Sequence, residues 1–293
     1  MTKLEAFQLD YCPEHLLFRT EVADRLINHL GPLILVGKPS TGKTTTAMWL
    51  QKQGKAVYVE GKSTLLQSLQ SALKSYDTNL NRLIQTLVKM RKPVIFDDIQ
   101  RWAEKKNRFN DWLFFIAEAF KEEPFVLVTN MDLKRLKGLV NEENERRLYR
   151  YPDSQIVLPP YGADQLAAII NNRIVEGEAE DFIDAPAVKY LAGMAKNNAY
   201  SLSRIFAMLR YWLGGKSKVT VELISKQFET VAVEDWKKQL LAMEKNRALL
   251  LLAAASVSAK NGKQGEENGG STMGTSTRST AGWPPPPTST PGG

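Results

Sequence analysis

The chain has 293 residues, 43% of them hydrophobic and 24% charged, with a formal net charge of +7. This composition is typical of a globular protein with one large or two ordinary domains. Its single cysteine, Cys12, excludes a disulfide framework and a Cys-based zinc site, and only two histidines argue against a His-rich one. The longest apolar run, Ala248–Ala255, is too short to span a bilayer, and the opening residues are polar. We therefore expect a cytoplasmic protein without a membrane segment.

Over the first 160 residues, short apolar runs alternate with segments of helical periodicity. The apolar runs predict strands at Pro32–Val36, Lys55–Glu60, Val94–Asp98, Phe125–Asn130 and Gln155–Leu158. The intervening segments predict helices at Glu21–Leu30, Thr45–Gln53, Ser63–Ser75, Asn79–Met90, Asn107–Phe120 and Asp132–Val140. Continuously apolar strands that alternate with helices predict a five-stranded parallel sheet covered on both faces, an α/β fold.

The sequence changes character after Pro160, where helical segments follow one another without a further strand. They lie at Ala163–Glu176, Ala185–Lys196, Ser201–Leu213, Val221–Val233 and Glu234–Val257. Residues 260–293 are rich in Gly, Ser and Thr and contain four consecutive prolines, which predicts a disordered tail or, alternatively, a proline-rich ligand. We therefore divide the chain into an α/β domain (1–160), an all-α subdomain (161–259) and the tail (260–293).

A phosphate-binding loop pattern, G-x-x-x-x-G-K-[ST], is matched at every fixed position directly after the first predicted strand. Its residues are Gly37, Lys38, Pro39, Ser40, Thr41, Gly42, Lys43 and Thr44, and Thr45 opens the following helix. Backbone N–H groups of such a loop and the helix N-terminus bind phosphate, so we expect a bound ATP. Lys43 would reach the β- and γ-phosphates, and the Thr44 hydroxyl would hold Mg²⁺. The alternative is a glycine-rich turn that matches by chance.

Two acids end the third predicted strand, as in a Walker B motif. Asp97 would hold Mg²⁺ through water, and Asp98 stands where a glutamate usually polarises the attacking water. Asp98 is one methylene shorter, which predicts slow or partner-dependent hydrolysis. The alternative is an acidic pair that simply begins a turn.

Polar and basic residues elsewhere are candidates for the same site. Asn130 ends the fourth strand, where a polar residue contacts the γ-phosphate or the water in ATPases with an extra strand between the two motifs; it is also a common turn residue. Arg146 and Arg150 precede the fifth strand and could point toward a neighbour's nucleotide, or form a solvated cluster with nearby glutamates. Arg204, near the start of a helix, could sense the γ-phosphate or lie on the helix surface.

In this order, these residues resemble AAA+ ATPases, and more closely the archaeal Orc/Cdc-type replication initiators. Three further stretches carry the resemblance, which covers about Leu9 to Val257: a lead-in at Leu9–Arg19, a sensor-one stretch at Val128–Asp132, and a strand leading into the lid at Ile156–Tyr161. The resemblance implies a P-loop AAA+ core followed by an all-α lid, and ATP and Mg²⁺ as cofactors. It also implies an ATPase whose nucleotide controls assembly and DNA engagement, with DNA and itself or a related AAA+ subunit as partners.

Several departures from the family pattern leave other functions open. Asp98 replaces the usual glutamate, and only Arg204 matches the sensor-two stretch. Arg247–Val257 is similar to the opening helix of the family's winged-helix domain, and the rest of that domain is expected to be missing, so DNA binding would be weak and non-specific. The alternatives are a non-hydrolysing, nucleotide-dependent binding module, or a loader or regulator that acts on a helicase, transposase or other recombinase.

Overall fold

The structure is a computed structural model that describes residues 3–8, 10–103, 106–121, 123–150, 153–197, 201–215 and 217–227. Its strands are β1 Pro32–Gly37, β2 Val57–Glu60, β3 Val94–Asp97, β4 Phe125–Thr129 and β5 Gln155–Leu158. Its helices are α1 Thr20–Asn28, α2 Lys43–Lys52, α3 Leu65–Leu73, α4 Leu80–Lys89, α5 Gln100–Ala103, α6 Lys106–Ala119, α7 Leu133–Leu139, α8 Glu142–Leu148, α9 Ala163–Glu176, α10 Ala185–Lys196 and α11 Leu202–Gly214. Residues 221–227 are also helical.

All five strands join one parallel sheet in the order β2-β3-β4-β1-β5. The predicted α/β fold with a five-stranded parallel sheet is therefore confirmed. Because side chains alternate along a strand, Ile34 packs into one core cluster and its neighbours Leu33 and Leu35 into another. The sheet is thus buried on both faces, and the carboxyl ends of its strands form one polar edge.

Periodicity did not predict two short helices, α5 and α8. Trp102 of α5 is fully buried and meets the rings of Phe96 and Trp112 at centroid distances of 6.0 and 6.2 Å. Asn141 caps α8 by accepting a hydrogen bond from the backbone N–H of Asn144 at 2.9 Å. Tertiary packing and a cap, rather than an amphipathic stripe, hold these two segments helical.

The described residues after Tyr161 form α9, α10, α11 and the helical residues 221–227, with one isolated parallel bridge between Ile183 and Val219. Arg173 of α9 ties this region to the start of the chain, since its guanidinium donates to the carbonyls of Ala6 and Tyr11, each at 3.0 Å. The predicted helix Glu234–Val257, the end of Val221–Val233 and the tail lie outside the described residues. In the part of the chain that the structure describes, no helix is both long and apolar enough to cross a bilayer.

Candidate nucleotide-binding site

The phosphate loop connects the end of β1 to the first residue of α2, and close contacts leave no room for side chains at its glycines. A Cβ on Gly37 would lie 2.7 Å from Thr41 Oγ1. Gly42 has a φ of +89°, and a Cβ there would lie 2.2 Å from the hydroxyl oxygen of Tyr161. The loop therefore requires glycine at both positions, for space and, at Gly42, for backbone conformation as well.

Lys43 is buried inside this loop. Its ammonium donates to the carbonyl oxygens of Gly37 at 2.6 Å and Lys38 at 2.9 Å. Burial lowers the pKa of Lys43, and the nearby carboxylates of Asp97 and Asp98 oppose that shift. Loss of water disfavours the charged form of a lysine, so an anion in the loop would stabilise this cation. The surroundings of Lys43 thus fit a phosphate.

Asp97 lies at the end of β3, 1% exposed, with donors around its carboxylate. Its Oδ1 accepts the backbone N–H of Asp98 at 2.8 Å, and its Oδ2 accepts the hydroxyl of Tyr58 at 3.2 Å. Burial raises the pKa of Asp97, whereas hydrogen bonds, first among them that of the Thr44 hydroxyl, lower it. The sheet thus brings together Thr44 and Asp97, the two predicted metal ligands. One hydroxyl and one carboxylate suit Mg²⁺, which takes its remaining ligands from water and phosphate.

Asp98 follows β3 with a φ of +54°, and its carboxylate is engaged by its neighbours. Gln100 donates its side-chain N–H to Asp98 Oδ1 at 2.7 Å, and Arg101 pairs with Asp98 Oδ2 at 3.6 Å. The carbonyl oxygen of the Gln100 side chain faces β4, where it accepts the Thr129 hydroxyl at 3.2 Å and the backbone N–H of Asn130 at 3.4 Å. Asp98 and Asn130, both predicted, are therefore joined through Gln100, a residue that sequence reasoning missed.

The predicted arginines lie at the surface. Arg146 is 82% exposed and pairs with Glu142 at 3.5 Å, and Arg150 is exposed just beyond α8. Arg147 instead packs over the ring of Phe114 at 4.5 Å and pairs with two glutamates. Arg204 is exposed in the first turn of α11. Of these arginines, none is among the described residues that line the two clefts beside the phosphate loop.

One of these clefts lies between the loop and the helices beyond Tyr161. The loop contributes Ser40 and Gly42, α2 contributes Thr45, and α9 and α11 contribute Arg173 and Phe206. Further lining comes from the start of the chain and from the helices: Gln8, Pro13, His15, Leu16, Leu17, Tyr161, Ile169, Asn172, Leu202 and Ser203. A mostly apolar cleft with a few polar groups beside a phosphate loop can accommodate the base and ribose of a nucleotide. The lead-in at Leu9–Arg19 and the strand leading into the lid at Ile156–Tyr161 were recognised in the sequence, but their residues were not predicted to belong to the site.

Arg19 joins the lead-in, the loop and the exit from β5. It is 7% exposed, donates to the carbonyls of Thr41 at 3.0 Å and Pro159 at 2.8 Å, and stacks 4.1 Å from the ring centroid of Tyr161. A guanidinium is suited to this role because it donates several hydrogen bonds in one plane and presents a flat face to an aromatic ring. Arg19 thereby holds Tyr161 against Gly42.

No family model matches the chain. Among curated proteins it is similar to ORC1-type DNA replication protein 1 of Sulfurisphaera tokodaii, with 24% identity over an alignment 258 residues long that covers 74% of this chain and 63% of the relative. It is also 24% identical over 274 residues to an ORC1-type DNA replication protein of Methanospirillum hungatei, covering 76% of this chain and 64% of the relative. The chain therefore spans less than two thirds of the length of these relatives.

Solved structures share the fold. The Aeropyrum pernix Orc1 protein in complex with DNA matches with a TM-score of 0.62 and 19% identity, over 85% of this chain and 75% of that one. Domain III of the Thermotoga maritima initiation protein DnaA matches with a TM-score of 0.53 and 15% identity, over 70% and 87%. These matches show the AAA+ α/β fold, and together with the curated relatives they confirm the resemblance to archaeal Orc/Cdc-type initiators.

Proposed function

We propose that this chain, a relative of the archaeal ORC1-type proteins, is an AAA+ ATPase that binds ATP and Mg²⁺ and uses them to control assembly and DNA engagement. The observation that carries the proposal is the meeting of three groups at one sheet edge: the buried ammonium of Lys43, the Thr44 hydroxyl and the buried carboxylate of Asp97. A cation within a phosphate loop, beside a hydroxyl and a carboxylate, suits a nucleoside triphosphate with its metal.

Each residue would have a defined task. The backbone N–H groups of Lys38 and residues 40–43 and the N-terminus of α2 would bind phosphate oxygens, and Lys43 would exchange its carbonyl partners for the β- and γ-phosphates. Thr44 and Asp97 would hold Mg²⁺, which supplies positive charge to the phosphates when it is bound. Asp98 and Asn130 would orient the attacking water, and Arg204 would approach the γ-phosphate through movement of α11 relative to the loop.

The partners would be DNA and either a second copy or a related AAA+ subunit. The relatives are named as DNA replication proteins, one solved neighbour is a complex with DNA, and this chain carries a net charge of +7. Contact with backbone phosphates would make DNA binding steeply salt-dependent, with little sequence preference. Arg146 and Arg150, exposed at and just beyond the end of α8, would reach a neighbour's nucleotide.

The central experiment compares Lys43→Ala with the parent in ATP binding. Hydrogen bonds to charged groups contribute about 1.5–3 kcal/mol, so the affinity for ATP should fall roughly 10- to 150-fold. Affinity for AMP, which lacks the β- and γ-phosphates, should hardly change. Lys89→Ala, at an exposed lysine of α4, is the matched control and should bind ATP like the parent. If Lys43→Ala binds ATP as tightly as the parent, the site assignment is wrong.

A second function, a nucleotide-dependent binding module without hydrolysis, is favoured by the engagement of Asp98. Both of its carboxylate oxygens already contact Gln100 or Arg101, and the side chain is one methylene shorter than glutamate. A phosphate-release assay on the parent and on Asp98→Glu separates the two functions. A parent without turnover that gains it on Asp98→Glu would support the module. Turnover in the parent that Asp98→Glu does not raise would support a competent ATPase.

A further inference from the structure

Gln100, which was not among the predicted site residues, lies between the two polar groups expected to face the attacking water. Its side-chain N–H donates to Asp98 Oδ1 at 2.7 Å, the shortest of its contacts. Its side-chain oxygen accepts the Thr129 hydroxyl at 3.2 Å and the backbone N–H of Asn130 at 3.4 Å. One side chain thus connects the ends of β3 and β4 on the edge that carries the phosphate site.

The position of Gln100 is fixed by the core beneath it. Gln100 is the first residue of α5, and Trp102, two residues later, is fully buried against aromatic rings. Between Asp98 and Gln100, the backbone N–H of Ile99 donates to the carbonyl of Val128 at 3.2 Å, which attaches this turn to β4. A functional side chain on a segment held in this way is placed reproducibly, since its support does not depend on solvent-exposed contacts.

Only an amide satisfies both sides of this arrangement. A glutamine presents two N–H donors and a carbonyl acceptor, so it can donate to a carboxylate and accept from a hydroxyl and a backbone N–H at once. A glutamate in its place would face Asp98 with like charge and without a donor. An alanine would leave Asp98 with the longer contact to Arg101, at 3.6 Å.

We infer that Gln100 is a positioning residue for ATP hydrolysis, which holds the Asp98 carboxylate and the Asn130 end of β4 at a set separation. The inference rests on the proposed ATPase function and deepens it. Because Gln100 contacts Asp98 Oδ1, a water would have to take Oδ2, in place of the longer contact of that oxygen to Arg101 at 3.6 Å. Gln100 would act through Asp98 and would not itself touch the nucleotide.

The test measures turnover number and ATP affinity separately in Gln100→Ala and Gln100→Glu. At metal sites, loss of a hydrogen-bond partner that orients a ligand typically costs 10- to 100-fold, and by analogy the turnover number should fall by about that factor in both variants. The dissociation constant for ATP should change less than about twofold, because the loop, Lys43 and Thr44 are untouched. Gln85→Ala, at an exposed glutamine of α4, is the matched control and should retain the parent's turnover.

A second comparison distinguishes positioning from a purely structural role. In an Asp98→Asn background, Gln100→Ala should lower turnover by much less than it does in the parent, because the group it positions is already altered. A role in stability alone would lower thermal unfolding temperatures and would affect turnover equally in both backgrounds. Gln100→Glu, which keeps the shape of the side chain, guards against a variant that simply fails to fold.

The outcomes separate this inference from the proposed function. If the parent hydrolyses ATP and Gln100→Ala does so equally fast, the positioning role is overturned and the ATPase proposal stands. The same holds if Gln100→Ala loses turnover equally in the parent and in the Asp98→Asn background. A parent that binds ATP without hydrolysing it would overturn the positioning role and favour the binding module. A parent that does not bind ATP would overturn the proposed function itself, and the inference with it.

Discussion

Gly42→Ala perturbs the closest approach in the site, between the phosphate loop and Tyr161. The new Cβ would lie 2.2 Å from the hydroxyl oxygen of Tyr161 and 3.2 Å from its Cζ. The ring cannot simply withdraw, because Arg19 stacks on it at 4.1 Å and is itself held by the carbonyls of Thr41 and Pro159. Gly42 also has a φ of +89°, which a residue with a side chain adopts at a cost.

The steric clash and the left-handed backbone each contribute to the cost of Gly42→Ala, and a matched variant separates each contribution. A left-handed backbone costs a non-glycine residue about 1–2 kcal/mol, and overpacking a filled site adds about 1–3 kcal/mol. Gly42→Ala should therefore destabilise the protein by roughly 2–5 kcal/mol. Gly54 has a φ of +68°, but a Cβ on it would have no heavy atom within 4 Å, so Gly54→Ala should cost only the backbone contribution, about 1–2 kcal/mol.

Tyr161→Phe is the variant that tests the steric contribution. It removes the hydroxyl oxygen and leaves Cζ as the nearest ring atom, at 3.2 Å from the alanine Cβ. Most of the steric contribution should disappear, so Gly42→Ala in the Tyr161→Phe background should cost about 1–2 kcal/mol more than Tyr161→Phe alone. Urea unfolding followed by tryptophan fluorescence gives these differences, and ATP binding measured on the same samples shows whether the loop still receives phosphate.

The reasoning would be refuted by either of two results. Gly42→Ala could cost no more than Gly54→Ala, which would mean that the Tyr161 contact does not constrain the loop. Alternatively, Gly42→Ala could be equally costly with and without the Tyr161 hydroxyl, which would place the strain elsewhere.

Two other variants probe the metal ligand and the exposed arginines. Asp97→Asn should stabilise the nucleotide-free protein at neutral pH. It should also lower turnover at least about a hundredfold, because it weakens a ligand of the metal ion, whose charge is worth several kcal/mol to the transition state. Burial raises the folded-state pKa of Asp97 above its ordinary 3.8, so the ionised group opposes folding above that folded pKa. The stability that Asp97→Asn gains over the parent, measured by thermal unfolding, should therefore shrink as the pH falls toward 3.8. A stability gain that grows on acidification would contradict this. Arg146→Ala should leave the unfolding midpoint unchanged, because its ion pair is exposed, but should lower turnover roughly a thousandfold if it enters a neighbour's site. Arg147→Ala should show the opposite pattern, a lower midpoint with turnover retained, since Arg147 packs on Phe114. Unchanged turnover in Arg146→Ala across protein concentrations would show that Arg146 does not act on a neighbour's nucleotide.

Strands and long helices were predicted well because their signals are local. β1, β3 and β4 are buried on both faces and therefore read as unbroken apolar runs, and α9 and α10 begin and end at the predicted residues. α5 and α8 were missed for a physical reason. α5 has only four residues, and α8 is mostly charged, so neither shows the apolar period by which a helix is recognised.

By itself, the sequence located the loop that matches the phosphate-binding pattern and the acids at the end of β3, because glycine spacing and residue chemistry within a few positions suffice to find them. Only the tertiary structure decided what meets at the site. The strand order inserts β4 between β1 and β3, which places Asn130 beside Gln100 and Asp98. Arg19 and Tyr161 are far apart in the chain, and only the packed fold stacks them against Gly42. Such contacts depend on which strands become neighbours, and local residue patterns do not specify that choice.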